Sequence, residues 1–357
     1  MKSKSAGASL ITGGAGFLGT NLALHLLSAG QRVVIYDNLS RSGSEKNLAW
    51  LRRQAGDALR VVVGDIRDRF ALREAVRGVG RVYHFAAQVA VTTSLLDPVS
   101  DFEVNARGTL NLLEELRRLD EPPTLIFTST NKVYGSLADL PLRRAGKRYR
   151  PRDPGLETTG ISEDRVLDFH SPYGCSKGTA DQYVLLYARV YGLPAVVFRM
   201  SCVYGPHQYG TEDQGWVAHF LIRALERQPI TIYGDGRQVR DVLFVDDLID
   251  AFDRALTHIE TVAGHAYNIG GGPTNTISLL ELLSLIRELT GEPAPPVFAP
   301  WRTGDQRYYV SDFSRFQAAT GWAPRIGVTK GVTRLYEWLA EARGLPRRRA
   351  AASRMPA

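Results

Sequence analysis

An α/β fold is predicted: a doubly wound parallel sheet with helices on both faces, joined to a smaller mixed α/β C-terminal domain. Three observations predict it. Over residues 8–130, short β-branched runs alternate with amphipathic helical stretches. A glycine-spaced turn, Gly13-Gly14-Ala15-Gly16-Phe17-Leu18-Gly19, follows the first run and opens a helix. The chain has 357 residues, 44% hydrophobic and 23% charged, which suits one large globular domain or two joined ones.

The strands in order are 9–12, 32–36, 60–63, 82–85 and 124–127, rich in Val, Ile and Leu. Helical patterns lie between them near 18–29, 68–77 and 106–119; Gly30 stops the first, and Pro122-Pro123 prevents continuation of the last. Residues 195–199 read as a further strand of the same sheet, and 216–227, 246–257 and 278–290 as helices. Residues 293–300 read as a proline-rich connector. The expected domains are 1–180 for a nucleotide, with segments near 195–205 and 240–250 returning to it, and an interleaved 181–345 for the substrate. Residues 346–357 are expected to be a basic, disordered tail.

The net charge is +7, but it is concentrated. Residues 136–156 hold six Lys/Arg against two Asp, and 341–357 five Arg against one Glu, so the remainder is close to neutral. That pattern lacks the broad basic face of a nucleic-acid-binding protein. No apolar run reaches the roughly 18 residues a membrane span needs. The basic start is followed by a strand and a glycine turn, not by a secretory signal. Two cysteines, Cys175 and Cys202, are too few for a disulfide scaffold, and the histidines lack metal-ligand spacing, so no metal is expected. A reducing, cytoplasmic setting is expected.

In the glycine turn, Gly13 permits the tight bend, Gly16 lets backbone N–H groups approach a pyrophosphate, and Gly19 lets the helix pack on the strand. The helix N-terminus favours the phosphate charge. Asp37 ends the second strand 18 residues after Gly19, where a carboxylate accepts hydrogen bonds from an adenosine ribose and repels a 2′-phosphate. NAD is therefore expected over NADP, with Arg41, four residues on, as the one feature that accommodates such a phosphate. Asp65 follows the third strand, within reach of an adenine amino group, and Phe85-Ala86-Ala87 ends the fourth, where small residues let the cofactor pass. This is the Rossmann form of the doubly wound sheet.

Tyr173 and Lys177 lie four apart behind Ser171, a good N-cap, and Pro172, a good first helical residue; the helix is expected to run to Tyr191 and stop at Gly192. An i, i+4 pair shares a helix face. A free phenol titrates near 10, and a lysine ammonium with a positive nicotinamide ring brings it towards neutrality. Thr130 ends the fifth strand and supplies a hydroxyl to share the substrate proton. Glycine turn, Tyr-x-x-x-Lys and Thr together resemble the extended short-chain dehydrogenase/reductase superfamily of nucleotide-sugar enzymes, over roughly residues 8–340. The resemblance implies that Tyr173 is the acid/base, that Lys177 binds the nicotinamide ribose and tunes it, and that Thr130 assists. It also implies that Asn105 supports helix and water positioning. The candidate NAD residues are Gly13, Gly16, Phe17, Leu18, Gly19, Asp37, Asn38, Ser40, Arg41, Asp65, Ile66, Phe85, Ala86, Ala87, Gln88, Asn105, Thr128, Ser129, Tyr173, Lys177 and Arg199.

Dehydratases of that superfamily carry Asp-Glu after the active-site Thr; here Asn131-Lys132 follows Thr130, which speaks against 4,6-dehydration. Asp37 speaks against an NADP-releasing reductase. Epimerisation with retained NAD remains. The words Asp37–Arg41, Gln88–Ser94, Thr130–Gly135, Leu167–Lys177, Asp213–Val217 and Asp305–Arg307 resemble the 2-epimerase branch acting on CDP-linked 3,6-dideoxyhexoses. The resemblance implies inversion of C2 by transient oxidation to a 2-ketose. Alternatives are a UDP-sugar 4-epimerase, a 2-epimerase on another nucleotide, and a non-enzymatic NAD-binding redox regulator, against which Tyr173 with Lys177 argues.

Arg240 and Arg302 match arginines that grip a nucleotide diphosphate. The substrate candidates are Val91, Thr92, Thr130, Asn131, Lys132, Cys202, Gln214, Gly215, Trp216, Val217, Arg240, Arg302 and Asp305. Trp216 either stacks on the nucleotide or fills the core. Cys202 stands where many relatives have asparagine and His207 where they have arginine, which bears on the sugar more than on the reaction type. The basic loop 140–152 is either a lid over an anionic substrate or a solvated or subunit-contact loop. The expected partners are a nucleotide-diphosphate sugar, CDP-linked by preference, and further copies of the chain in a dimer or tetramer, with no nucleic acid and no membrane.

Overall fold

The computed structural model describes residues 7–291 and 295–345. The alternating runs of the first half become β1 (Ala8–Thr12), β2 (Val33–Asp37), β3 (Leu59–Val63), β4 (Val79–His84) and β5 (Thr124–Thr130). Around them run α1 (Phe17–Ser28), α2 (Ser44–Ala55), α3 (Arg69–Ala75), α4 (Val91–Leu96), α5 (Pro98–Phe102) and α6 (Gly108–Arg117). A single wide i→i+5 turn, Glu103–Arg107, joins α5 to α6 without a break. The helix expected at 106–119 thus starts earlier, because Asp97 caps it (side chain to Ser100 N–H, 2.9 Å) and Pro98 opens it.

Next come the hairpin β6 (Leu142–Ala145) and β7 (Arg148–Pro151), α7 (Pro154–Thr159), and the long α8 (Pro172–Tyr191). After α8 the chain forms β8 (Ala195–Met200), β9 (Cys202–Tyr204), α9 (Trp216–Leu225), β10 (Ile230–Tyr233) and β11 (Val239–Phe244). It continues through α10 (Val245–Thr257), α11 (Ile259–Val262), β12 (Ala266–Ile269), β13 (Thr276–Ser278) and α12 (Leu279–Thr290). The last elements are β14 (Pro296–Ala299), β15 (Tyr308–Tyr309), α13 (Ser314–Thr320) and α14 (Val328–Ala342).

Seven strands form one parallel sheet in the order β3-β2-β1-β4-β5-β8-β12. Strand order reverses between β1 and β4, so a crevice opens there at the carboxyl ends. Alternate side chains serve opposite cores: Ile11, Val33 and Ile35 pack towards α1, α2 and α10, while Leu10, Val34 and Tyr36 pack towards α3, α6 and α8. The predicted two-faced burial is the one observed.

The second lobe is a small sheet in which β11 pairs antiparallel with β13 and parallel with β15 and β9. A separate parallel pair, β10 with β14, lies beside it. Several expectations change. The boundary at 180 falls inside α8, whose side chains Ala180, Val184, Leu185 and Tyr187 pack in the core under the large sheet. Of the segments expected to return, β8 joins the large sheet, whereas β11 is built into the small one. β12 also returns, as the seventh strand, at a place the sequence pattern does not mark. The connector 293–300 contains β14, which tolerates its proline at an exposed sheet edge; residues 292–294 and the tail 346–357 lie outside the described residues.

The basic loop forms the hairpin β6–β7. Its hairpin is tied to the second lobe: Arg148 forks onto Glu281 (2.7 and 2.6 Å), Lys147 donates to Ser284 Oγ (2.6 Å), and Tyr149 hydroxyl donates to Asp235 (2.8 Å). Ser278 Oγ donates to the Lys147 carbonyl, and Tyr149 N–H to that of Arg237. The positive charges thus face carboxylates of the same chain. Arg148→Ala is expected to cost about 1–2 kcal/mol of stability, read as a lower Tm, with substrate KM unchanged; a raised KM at unchanged Tm contradicts the pinned hairpin.

Candidate active site

Two cavities meet at the sheet's carboxyl end, sharing Val89, Asp213 and Gln214 in their walls. The first, of about 570 Å³, is a cleft along the glycine turn. Its walls include Gly13, Gly16, Phe17, Leu18, Asp37, Asn38, Ser40, Arg41, Asp65, Ile66, Phe85, Ala86, Ala87 and Gln88, all read from the sequence. Gly13 has φ +68°, and a Cβ there would stand 2.7 Å from the Ala86 nitrogen. No side chain caps the N-terminus of α1, so its backbone N–H groups remain for an anion. Asp37 accepts from the Ala15 and Leu39 N–H groups (3.0 and 2.8 Å), and burial pushes its carboxyl up. The forked hydrogen bonds from Arg67 hold Asp65 well below the usual carboxylate range. These residues fit a dinucleotide: an open helix end for its pyrophosphate and a carboxylate at the end of β2 for its ribose. Arg41 reaches across the cleft to Gln214 (3.4 Å).

The second cavity, about 400 Å³, lies between the lobes. All thirteen substrate candidates line it: Val91, Thr92, Thr130, Asn131, Lys132, Cys202, Gln214, Gly215, Trp216, Val217, Arg240, Arg302 and Asp305. Both arginines already hold carboxylates. Arg240 donates to Asp305 (2.8 Å), which Lys132 also approaches at 3.7 Å, and Arg302 pairs with Asp213 (3.3 Å) and Glu212 (3.7 Å) while stacking 3.8 Å over Tyr233. Trp216 Nε1 donates to Cys202 Sγ (3.3 Å), which fixes the indole in the cavity wall. Burial pushes the Cys202 thiol up and the Lys132 ammonium down.

Tyr173 stands in the wall of this cavity beside Thr130. The predicted cap holds: Ser171 Oγ accepts from Gly174 N–H (3.1 Å), Pro172 opens α8, and Gly192 closes it at φ +69°. Tyr173 N–H also donates to Ser94 Oγ (3.1 Å), so the residue is held at both its backbone and its ring. Burial pushes the phenol up to about 12; the Thr130 hydrogen bond and the more distant Arg41 charge oppose this, and Asp101 adds to it. The chain's own groups therefore keep Tyr173 a phenol; the lowering expected of Lys177 together with a positive nicotinamide ring involves the cofactor as well. Lys177 is buried with its ammonium 4.2 Å above the Phe127 ring, and burial brings it down to about 7.

Several predicted cofactor residues are placed elsewhere. Arg199 is buried in a fork with Asp181 (2.9 and 3.0 Å) and donates to the Tyr134 hydroxyl (3.2 Å), so its charge is already neutralised inside the protein. Asn105 lies behind the cleft, accepting from Gln88 N–H (2.9 Å) and donating to Ser176 (3.0 Å). Thr128 donates to the His84 carbonyl (3.1 Å) between strands, and the Ser129 hydroxyl is buried. Gly19 is a packing position, where a Cβ would come within 2.4 Å of Gly14 Cα. His207, buried against Trp50 and Trp338, is pushed down to about 4 by burial and lies in the cleft wall. Glu212 and Asp213 were legible as neighbours of Gln214; Tyr233, Leu279 and His219 carried no signal, since only folding of the second lobe brings them here.

Residues 9–270 match the family described as NAD dependent epimerase/dehydratase. The chain is 44% identical over 336 residues, 92% of its length and 98% of the relative's, to a CDP-paratose 2-epimerase of Salmonella typhi. It is similar to a Thermus thermophilus UDP-glucose 4-epimerase solved with NAD (TM-score 0.79, 32% identity, 94% of this chain and 99% of that one). It is also similar to a Bacillus cereus UDP-glucuronic acid 4-epimerase solved with UDP-glucuronic acid and NAD (TM-score 0.80, 27% identity, 94% and 99% covered).

At Gly13, the left-handed backbone and the Ala86 contact predict that Gly13→Ala raises the Kd for NAD roughly tenfold or more, matching about 1–3 kcal/mol of backbone strain. Titration of cofactor-stripped protein measures it, and an unchanged Kd contradicts the assignment of the cleft.

Proposed function

The chain belongs to the NAD dependent epimerase/dehydratase family, and from that premise we propose that it inverts C2 of a CDP-linked 3,6-dideoxyhexose, converting CDP-paratose to CDP-tyvelose. The observation that carries the proposal is Tyr173, whose ring stands with Thr130 in the wall of the cavity that adjoins the dinucleotide cleft. The 44% identity to the Salmonella typhi enzyme supports the choice of sugar and nucleotide.

A C2–H bond in such a sugar is not α to a carbonyl, so direct deprotonation gives no stabilised carbanion. Oxidation at C2 avoids that barrier. The cleft of Gly13, Gly16 and Asp37 would hold NAD, which would supply a reversible hydride acceptor for C2. Tyr173 takes the C2 hydroxyl proton as the 2-ketose forms, with Thr130 hydrogen-bonded beside it, and donates the proton back after the ketose has presented its other face. Lys177, one helical turn on, supplies positive charge that favours the phenolate. Arg240 and Arg302 offer guanidinium forks to the diphosphate, exchanging part of their hold on Asp305 and Asp213. Asn131-Lys132 follows Thr130 where a carboxylate pair would serve loss of water, which favours epimerisation over dehydration. The reaction has no net redox change, which suits a retained cofactor.

A second reading, 4-epimerisation of a UDP-sugar, is favoured by the likeness to the Thermus thermophilus enzyme. The homo-oligomer is supported by exposed apolar side chains on two neighbouring helices, Val99 and Phe102 on α5 and Tyr183, Leu186 and Val190 on α8. Among the described residues no helix is long and apolar enough to cross a membrane, and the two cysteines are unpaired, which supports the cytoplasmic reading.

NAD-loaded protein incubated with CDP-paratose is expected to give a C2-inverted product by NMR, and none of the C4-inverted sugar from UDP-glucose. Tyr173→Phe is expected to keep bound NAD and lose about 10³-fold in kcat. Turnover of UDP-glucose alone, or near-native kcat in the variant, overturns the proposal.

A further inference from the structure

Charge is unevenly balanced along the wall of the substrate cavity. Towards α9, Arg302 faces two carboxylates, Glu212 and Asp213. Nearer the end of β5, one carboxylate serves two cations: Asp305 accepts from Arg240 (2.8 Å) and lies 3.7 Å from Lys132 Nζ. Among the described residues, Asp305 is the one carboxylate within 4 Å of either cation. Asp241, next to Arg240 in β11, is fully buried and is held instead by Ser201 Oγ and the Gly272 N–H. Burial raises the Asp305 carboxyl, but the Arg240 and Lys132 charges bring it below the usual range, so the acid is ionised. One positive charge is left without a partner. The three side chains are only 8 to 23% exposed, where an unbalanced charge is costly unless an anion shares the site.

The place of Lys132 shows which anion. Its N–H donates to Thr130 Oγ1 (3.2 Å), so it sits in the turn directly after the hydroxyl beside Tyr173. The first turn of α8 rests on its carbonyl, since a Cβ at Gly174 would stand 2.9 Å from that oxygen. Gln306 ties the Asp305 segment to the same turn, donating through Nε2 to the Gly135 carbonyl (2.7 Å), and Arg240 donates to the Gln306 carbonyl. The order in space is therefore Tyr173 with Thr130, then Lys132, then Asp305 with Arg240. A sugar placed at Tyr173 brings its own phosphate next, ahead of the phosphate bonded to the nucleoside.

We propose that Lys132 grips the sugar-linked phosphate of the substrate, with Asp305 holding the ammonium in place. The assignment rests on the nucleotide-sugar reading of the cavity, which supplies the order sugar, phosphate, phosphate, nucleoside. An ammonium is a point charge that does not impose the planar geometry of a guanidinium fork. That suits a pivot: the ketose has to present its other face between two hydride transfers, and a sugar turning about its bond to phosphate needs that phosphate held.

Two ligands without a sugar isolate the contact. CDP carries both phosphates, and CMP carries only the one bonded to the nucleoside. Lys132→Met removes the charge, keeps much of the side-chain length and leaves Asp305 paired with Arg240. Calorimetry on NAD-loaded protein is expected to show the Kd for CDP raised about tenfold or more in Lys132→Met, with that for CMP changed about twofold at most. Lys132→Arg, which keeps the charge, is expected to stay within about threefold of native for CDP. An unchanged Kd for CDP in folded Lys132→Met overturns the proposal, as do equal losses for CDP and CMP, or a Lys132→Arg protein as weak as Lys132→Met. If Lys132→Met does not fold, Lys132→Gln carries the same expectation and the same contrary results. The same pattern with UDP and UMP, but not with the cytosine pair, supports the phosphate assignment and counts against the CDP reading. A selective loss of CDP in a protein without C2 inversion counts against the epimerase reading alone.

Discussion

A phenol buried at the seam between two cavities governs this structure. Moving a tyrosine from its ordinary 10 to about 12 sets about 3 kcal/mol against the phenolate that acid/base chemistry requires. Positive charge near the ring must offset that penalty. The Thr130 hydrogen bond and the Arg41 charge are the chain's own groups that oppose it, and the glycine cleft adjoins the wall in which Tyr173 stands. The rest of the fold is arranged around keeping that ring still: a capped, proline-started helix beneath it, Ser94 on its backbone nitrogen, and a buried Asp101–Asn105–Ser176 network below.

The two lobes are not independent parts. α8 packs on the large sheet while its first turn faces the cavity between lobes, and β8 leads directly into β9, which pairs with β11 of the small sheet. One continuous core runs from Ile11 and Phe198 to Trp322 and Leu335. Both lobes thus share this core, against which Trp216 also packs.

Where chemistry depends on local spacing, the sequence was legible. Gly13 and Gly16, Asp37, the Ser171-Pro172 cap and the Tyr173/Lys177 pair are each short-range patterns, and the structure gathers them at the sheet's carboxyl end. The substrate candidates all reach one cavity, although they come from α4, β5, β9, α9, β11 and the loops between elements. For other residues the sequence does not show what lies opposite them. The pairing of Arg199 with Asp181, one turn beyond Lys177 on α8, has no sign in the local sequence. Thr128 and Ser129 share β5 with Thr130, but of the three only Thr130 stands in the cavity wall. The arginines of the basic loop read as a binding surface because Glu281 and Asp235, their partners, are more than eighty residues away in sequence. α2 and α14 were passed over because polar positions dominate their exposed faces.

The central claim is that the C2 hydrogen leaves and returns as hydride, never as a solvent proton. CDP-paratose carrying deuterium at C2, turned over in ordinary water, tests it most directly. The account predicts that the CDP-tyvelose formed retains the deuterium at C2, read by mass spectrometry and NMR. Replacement of that deuterium by solvent hydrogen during turnover would contradict it.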